Sequence, residues 1–153
     1  MNIERILFPT DFSEYSENAR DYTIYLAQKL DAVIYILHAI EPLEYPELDE
    51  EVKIFFEEVE LQMEKKIDKE KEYFLRTGLK VETDTVIGPR WRVINTFAKE
   101  KNIDLIVMGS HGLKTKKDEI ALGTTSHKVI FTAPCPVLIV RPEHGRVDIR
   151  IPD

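Results

Sequence analysis

Apolar residues follow two alternating patterns along this chain. Short runs of consecutive apolar residues are typical of buried strands, whereas apolar residues that recur every three or four positions are typical of amphipathic helices. The runs predict five strands, at 5–9, 32–37, 79–87, about 104–108 and 136–141. The recurring pattern predicts four helices between them, at 13–30, 48 to about 76, around 93–98, and 124–131.

This alternation is typical of an α/β protein with a single doubly wound, five-stranded parallel sheet and helices on both faces. The second strand supports the prediction, because its nearly continuous apolar run fits a strand covered on both sides. A length of 153 residues fits one domain, which we place at 1–142. The tail, 143–153, alternates weakly and is expected to form either a loose additional strand or a disordered end.

Two loops at one edge of this sheet are the candidate binding elements. Ligands of such sheets bind beyond the carboxyl ends of the strands, where the strand order reverses. The first strand is followed by Pro9-Thr10-Asp11, and the fourth by Gly109-Ser110-His111-Gly112. Glycine turns bring main-chain amides close to phosphate. Gly123-Thr124-Thr125-Ser126 opens the last helix, and a helix N-terminus attracts anions. Together these segments predict a nucleotide clamp.

Other nucleotide and enzyme motifs are missing from the sequence. It contains no G-x-x-x-x-G-K-[ST] motif, no G-x-G-x-x-G after the first strand and no G-x-S-x-G. A response regulator needs an acceptor aspartate at the end of the third strand, where this chain has Ile87-Gly88. The four histidines lack metal-ligand spacing, so no protein metal site is predicted. A Mg²⁺ ion that arrives with nucleotide phosphates would need only one or two protein oxygens.

Charge and hydropathy restrict the partners and the location. The net charge is −7, which argues against broad binding of nucleic acid or of anionic membranes. No apolar run approaches the ~20 residues of a membrane span. The N-terminus lacks a signal-peptide pattern, and a single cysteine, Cys135, excludes an internal disulfide. We therefore expect a cytoplasmic protein in which Cys135 is structural.

Four segments, in this order, resemble the universal stress protein family. They are Ile6 to Ser13, Leu37 to Ile40, Asp104 to Gly112, and Gly123 to Val140. The resemblance covers about Ile3 to Arg141 and implies a Rossmann-like fold of the adenine nucleotide alpha hydrolase type.

The glycine spacing departs by one residue from the pattern of family members that bind ATP, G-x2-G-x9-G-[ST]. Gly109 and Gly112 keep the first spacing, but ten residues precede Gly123 instead of nine. Lengthening an exposed loop by one residue has a small thermodynamic cost. The resemblance implies that ATP is bound, with or without Mg²⁺, and ADP and AMP are further candidates.

The resemblance also implies a role for each site residue. The ribose or the adenine edge would meet Pro9, Thr10 and Asp11, and the backbone of Ala39 would lie near the adenine. The ribose and phosphates would pass over Met108, Gly109 and Gly112, with His111 as a further candidate phosphate contact. The phosphates would receive N–H groups and hydroxyls from Gly123, Thr124, Thr125 and Ser126.

Each of these residues also has a purely structural interpretation. Asp11 is suited to capping the first helix, and Thr124 to Ser126 to capping the last. Gly109 and Gly112 are suited to a tight turn. Arg90 and Arg92, which flank Trp91 after the third strand, are expected only to pack and to lie on the surface. The convergence of several segments at one end of one sheet favours the binding site.

The predicted function is regulatory rather than catalytic. The sequence offers no base positioned beside a nucleophile and no assignable arginine finger, so at most slow ATP hydrolysis is expected. The alternative is a nucleotide-independent, dimeric interaction module of the same fold. Pro136 to Arg141 forms an apolar strand at a sheet edge, and such edges tend to pair. The strand predicts a homodimer, which the resemblance also implies.

Overall fold

Strand and helix alternate in the predicted order throughout the computed structural model, which describes residues 2–42, 49–111, 122–142 and 147–153. The strands are β1 (Arg5–Pro9), β2 (Val33–Ile40), β3 (Val81–Ile87), β4 (Leu105–Gly109) and β5 (Val137–Val140). The helices are α1 (Glu14–Leu30), α2 (Glu50–Leu75), α3 (Arg90–Glu100) and α4 (Thr124–Thr132). The boundaries differ from the predicted ones by a few residues, and no predicted element is missing.

The five strands form one parallel sheet in the order β3-β2-β1-β4-β5. The chain starts at the centre, moves outward through β2 and β3, and then returns to build β4 and β5 on the other side of β1. The switch point therefore lies between β1 and β4. This arrangement confirms the doubly wound fold and places the loops after β1 and β4 side by side.

Side chains from the two faces of the sheet enter two separate hydrophobic cores. Successive residues of a strand point to opposite faces, so Ile6 and Phe8 pack with α1 and α2 while Leu7 packs with α3 and α4. On the first face, the Phe8 and Phe74 rings lie 5.4 Å apart between centroids. On the second face, Leu37 and Met108 are buried beneath α3 and α4, and they form the floor below the predicted binding loops.

The four helices begin in two different ways. Ser13 caps α1 by accepting a hydrogen bond from the Ser16 amide, and Asp49 caps α2 by accepting one from the Val52 amide. Both of these helices also carry two acidic residues in the first turn. The residues that precede α3 and α4, Pro89 and Gly123, provide no side-chain cap, and neither first turn is acidic. The positive ends of α3 and α4 are therefore left without local compensation.

Strand β2 runs three residues beyond the predicted end at 37. It pairs with β3 through to Ile40 and Ile87, so the polar residue His38 lies inside the sheet. His38 is buried, and its Nδ1 donates a hydrogen bond to the Thr10 carbonyl at 2.8 Å. The apolar pattern stopped at Leu37 because His38 is polar and its hydrogen-bond partner is distant in the sequence. The resemblance, which included Leu37 to Ile40 as the end of the second strand, covers these additional residues.

The described part of the tail, 147–153, contains no strand, so one of the two alternatives for it, a loose additional strand, is absent there. Instead, the Gln28 side chain donates to the Arg150 carbonyl and accepts from the Arg150 amide. Ile149 packs against the core formed with α1 and α2. These contacts attach the end of the chain to α1.

Candidate functional site

A cavity of about 460 Å³ opens at the carboxyl edge of the sheet, at the switch point. Eleven of the twelve residues expected at the binding site line this cavity. They come from the ends of three strands and from the start of α4: Pro9, Thr10, Asp11, Ala39, Met108, Gly109, His111, Gly123, Thr124, Thr125 and Ser126. The twelfth, Gly112, lies outside the described residues. The structure therefore brings together segments that are more than a hundred positions apart in the sequence.

The loop after β1 is fixed by the Asp11 carboxylate. Its Oδ1 accepts hydrogen bonds from the Ser13 amide at 3.0 Å and from the Ser16 hydroxyl at 2.8 Å. The N-cap of α1 is Ser13 rather than Asp11. Asp11 thus holds the capping residue in place while it lines the cavity, and its structural and binding interpretations are compatible.

A buried histidine supports the same loop from below. The contact between His38 and the Thr10 carbonyl fixes the loop, and the ring of Phe12 lies 4.6 Å from the His38 ring between centroids. Phe12 has φ 62°, a left-handed conformation that is rare for a bulky residue. Burial lowers the pKa of His38 below its ordinary value, so the ring is neutral at pH 7. Backbone strain such as that of Phe12 clusters at functional sites.

The glycine at the end of β4 is required by packing within the fold. A Cβ atom on Gly109 would lie 2.8 Å from the main-chain oxygen of Tyr15, so α1 leaves no space for a side chain. The Gly109 carbonyl accepts a hydrogen bond from the Ser126 hydroxyl at 2.8 Å. Close approach of α1 therefore explains this glycine without reference to a ligand.

Two of the groups expected to donate to phosphate are engaged within the protein. The Gly123 amide donates to the Ser110 carbonyl at 2.8 Å, and the Ser126 hydroxyl donates to the Gly109 carbonyl. These bonds fasten the start of α4 to the turn after β4. The groups of this segment that remain as candidate donors are the amides of Thr124, Thr125 and Ser126, together with the Thr124 and Thr125 hydroxyls.

A third wall of the cavity was not predicted from the sequence. Pro89, Arg90, Trp91 and Ile94, from the start of α3, line it together with Glu41 beyond β2. The Arg90 Nε is buried and has no hydrogen-bond partner among the described residues; the nearest carboxylate oxygen, Glu41 Oε1, lies 3.8 Å away. In the sequence, this wall is indicated only by the start of α3, where basic residues occupy positions at which acidic residues are preferred.

The family model of the universal stress protein family matches residues 2–141. The chain belongs to this family. Universal stress protein MJ0531 of Methanocaldococcus jannaschii is 32% identical over 140 residues, which cover 90% of this chain and 82% of that protein. Universal stress protein YxiE of Bacillus subtilis is 32% identical over 146 residues, which cover 90% of this chain and 98% of YxiE.

Solved structures of other universal stress proteins share the fold. The structure of MJ0577 from Methanocaldococcus jannaschii superposes with a TM-score of 0.85 at 28% identity, and the match covers 95% of this chain and all of that one. Two more distant structures are complexes with nucleotides. One is a universal stress protein with cAMP, at a TM-score of 0.70 and 22% identity, with coverage of 92% and 98%. The other, from Archaeoglobus fulgidus, contains dAMP, at 0.65 and 18%, with coverage of 91% and 98%.

This universal stress protein has no cluster of three or more metal-ligating side chains among the residues that the structure describes. In the same part of the chain, no helix is both long and apolar enough to span a membrane. Cys135 packs beside the second core, and burial raises the pKa of its thiol. Its protonated thiol fits the structural role expected from the sequence.

Proposed function

We propose that this universal stress protein binds an adenine nucleotide, ATP in the first place, in the cavity at the switch point. The observation that carries the proposal is that the two helices without N-terminal caps, α3 and α4, both begin at this cavity. An uncapped helix N-terminus presents unsatisfied amides and a partial positive charge. A nucleotide supplies the acceptor atoms and the negative charge that such ends lack.

The phosphates would lie at the start of α4. Gly123 has no side chain that could accept hydrogen bonds from the first amides of the helix. Its φ of −61° is accessible to any residue, so the backbone conformation alone does not require glycine here. Thr124 and Thr125 line the cavity and add hydroxyl groups. ATP would bind there with or without Mg²⁺, and ADP and AMP offer the same first phosphate.

The base would lie on the opposite, apolar side of the cavity. Leu37, Ala39 and Ile94 line this part and are all less than 9% exposed. A mostly apolar lining with a few placed polar groups is the usual environment of a bound small molecule. The structural relatives that contain cAMP and dAMP support an adenine nucleotide as the ligand class.

Bound nucleotide would act as a regulatory ligand with little or no hydrolysis. The Ser110 hydroxyl lies 2.7 Å from the His111 Nδ1, but Ser110 is only 2% exposed and cannot reach a phosphate in the cavity. A ligand that binds one conformation preferentially stabilises it by mass action. We propose that the protein acts in this way as a cytoplasmic stress-response regulator.

We propose a homodimer formed through the edge strand β5, in the segment Pro136 to Arg141. The outer edge of β5 has no neighbouring strand among the described residues, and Leu138 is 36% exposed. Leu138→Glu changes an exposed side chain, whereas Val137 and Ile139 pack against the core. The variant is expected to sediment as a monomer in analytical ultracentrifugation, and a dimer of unchanged affinity would exclude this interface.

Calorimetric titration tests the nucleotide site. Protein freed of bound nucleotide is titrated with ATP, ADP and AMP, each with and without Mg²⁺. We expect saturable binding of one nucleotide per chain. Absence of binding for all three would refute the proposal and favour the alternative, a nucleotide-independent dimeric interaction module. Exposed apolar residues on α4, Phe131 at 77% and Ile130 at 40%, support that second candidate.

A further inference from the structure

The N-terminal part of α2 carries apolar residues that the protein's own cores do not use. The buried residues of this helix, Ile67 and Phe74, both lie in its C-terminal part. Towards the N-terminus the same stripe continues at helical spacing through Val52, Phe55, Phe56, Val59 and Met63. Among the described residues, none of these five belongs to either hydrophobic core or packs against one. We call the five residues the N-terminal stripe.

The N-terminal stripe lies beyond the carboxyl edge of the sheet. The Phe74 ring packs on Phe8, which pairs with Ile36 of β2. From Ile36 to its last residue, β2 extends about 13 Å further, a distance that a helix running back along the strands covers in about nine residues. In agreement, the Lys66 ammonium lies 5.7 Å from the centroid of the Phe12 ring, in the loop after β1. The turns of α2 that precede Lys66 therefore project past the strands.

The projecting turns expose apolar side chains to solvent. Phe55 is 53% exposed, and its ring lies 6.3 Å from the Phe56 ring between centroids. Ile54 and Leu61 are exposed to the same degree, at 54% and 56%, but the helical repeat places them on the opposite side of α2. Single exposed apolar residues are common, whereas a contiguous apolar stripe is typical of an interaction surface. The stripe is therefore the candidate contact surface of this helix.

The charge around the N-terminal stripe selects the kind of partner. From position 50 to position 64, α2 contains six glutamates and one lysine. A second copy of this chain would bring the same glutamates against the stripe, and like charges across an interface are unfavourable. An anionic membrane surface would be repelled for the same reason. A partner that carries basic residues beside an apolar face supplies both the packing and the opposite charge.

We propose that the N-terminal stripe is a docking site for a basic amphipathic helix of a partner protein. The apolar face of that helix packs lengthwise along the stripe, as in a two-stranded coiled coil, and its lysines or arginines lie against the glutamates. None of the five residues of the stripe lines the cavity at the switch point. The docking site is therefore distinct from the proposed nucleotide site and does not require it.

Fluorescence anisotropy with two labelled synthetic peptides tests the docking site. The first is an amphipathic helix of leucine and lysine, about three heptads long. The second has glutamate in place of every lysine. We expect the full-length protein to bind the leucine–lysine peptide with a Kd below roughly 100 µM. Added salt should weaken this binding because it screens the charges. The leucine–glutamate peptide should not bind.

Substitutions to glutamine, a good helix former, separate the stripe from the rest of α2. Phe55→Gln and Val59→Gln remove apolar groups from the stripe and should weaken the leucine–lysine peptide roughly tenfold. Ile54→Gln and Leu61→Gln are the matched controls, because they change equally exposed side chains on the opposite side of the same helix. Their affinities should stay within about twofold of wild type. Circular dichroism confirms the helix content of each variant.

Three results of the peptide titrations would refute the docking site. They are no binding of the leucine–lysine peptide to the wild-type protein, equal binding of both peptides, and equal losses in the stripe variants and the control variants. Analytical ultracentrifugation of the protein alone tests the other occupant. If Phe55→Gln or Val59→Gln abolishes self-association of the wild-type chain, a second copy covers the stripe and the proposal is overturned.

Discussion

Replacing Gly123 with aspartate should change the stability of the protein and its affinity for nucleotide in opposite directions. Gly123 is the N-cap of α4, has φ −61° and ψ 156°, and makes no side-chain hydrogen bond. An aspartate fits this backbone conformation and accepts a hydrogen bond from the first turn of the helix. The same carboxylate occupies the place that we assign to the phosphates and repels them.

The size of each effect follows from the geometry at the helix end. Adding a cap in place of glycine contributes a few tenths of a kcal/mol, and a negative charge at a helix N-terminus roughly 0.3–1 kcal/mol. A gain of about 0.5–1 kcal/mol raises the melting temperature of a chain of this size by about 1–4 °C. Two negative charges about 5 Å apart repel by roughly 3 kcal/mol at an effective dielectric constant of about 20. Even if only half of this repulsion is realised, the affinity for ATP falls about tenfold.

Thermal unfolding of the nucleotide-free protein and calorimetric titration with ATP measure the two effects. Gly123→Ser is the first control, because it caps the helix without adding charge, and it should lose much less affinity. Gly123→Ala is the second, because it adds neither acceptor nor charge, and its affinity should remain close to wild type. If Gly123→Asp melts higher than wild type and still binds ATP with unchanged affinity, the start of α4 does not hold the phosphates.

Three further predictions concern the surroundings of the site and the tail. Because burial holds the pKa of His38 below 6.5 in the folded state, the unfolded chain takes up the proton first, so the free energy of unfolding should fall as the pH drops below about 6.5. His38→Asn, which retains a donor for the Thr10 carbonyl, should flatten this dependence in urea titrations between pH 7 and pH 5, and an unchanged slope would assign it to other groups. Gly109→Ala places a methyl group against the Tyr15 backbone and should lower the free energy of unfolding, measured by urea denaturation, by roughly 1–3 kcal/mol. A loss below about 0.5 kcal/mol would mean that α1 can shift to make room for the methyl group at little cost. Ile149→Asp should lower stability by roughly 1–3 kcal/mol with no change in ATP affinity, since the tail packs far from the cavity, and a wild-type melting temperature would show that the tail is not anchored.

Elements whose determinants are local could be predicted from the sequence. The central strands are buried on both faces, so their apolar runs are almost uninterrupted, and strand and helix alternate without exception. The order of elements then predicted the sheet, and the sheet predicted which loops meet. The sequence therefore predicted that Asp11, Gly109 and Gly123 lie at one end of the sheet, and all three line the cavity there.

Features that depend on contacts between distant segments could not be predicted in this way. The reason for a glycine at 109 is the main chain of Tyr15, which lies almost a hundred residues earlier. Arg90 and Glu41 meet only because β2 and β3 are neighbours and extend to the same edge of the sheet. No spacing or motif in the sequence records either contact.

Trp91 gives this protein a built-in optical reporter. It is the only tryptophan in the chain, it lines the rim of the cavity, and the cationic groups of Arg92 and Lys128 lie 5.4 and 5.7 Å from its ring. The tryptophan fluorescence of this protein therefore reports on one known position, at the cavity. A molecule that enters the cavity changes the polarity around the ring, so its emission colour and intensity follow occupancy in unlabelled protein at nanomolar to micromolar dilution.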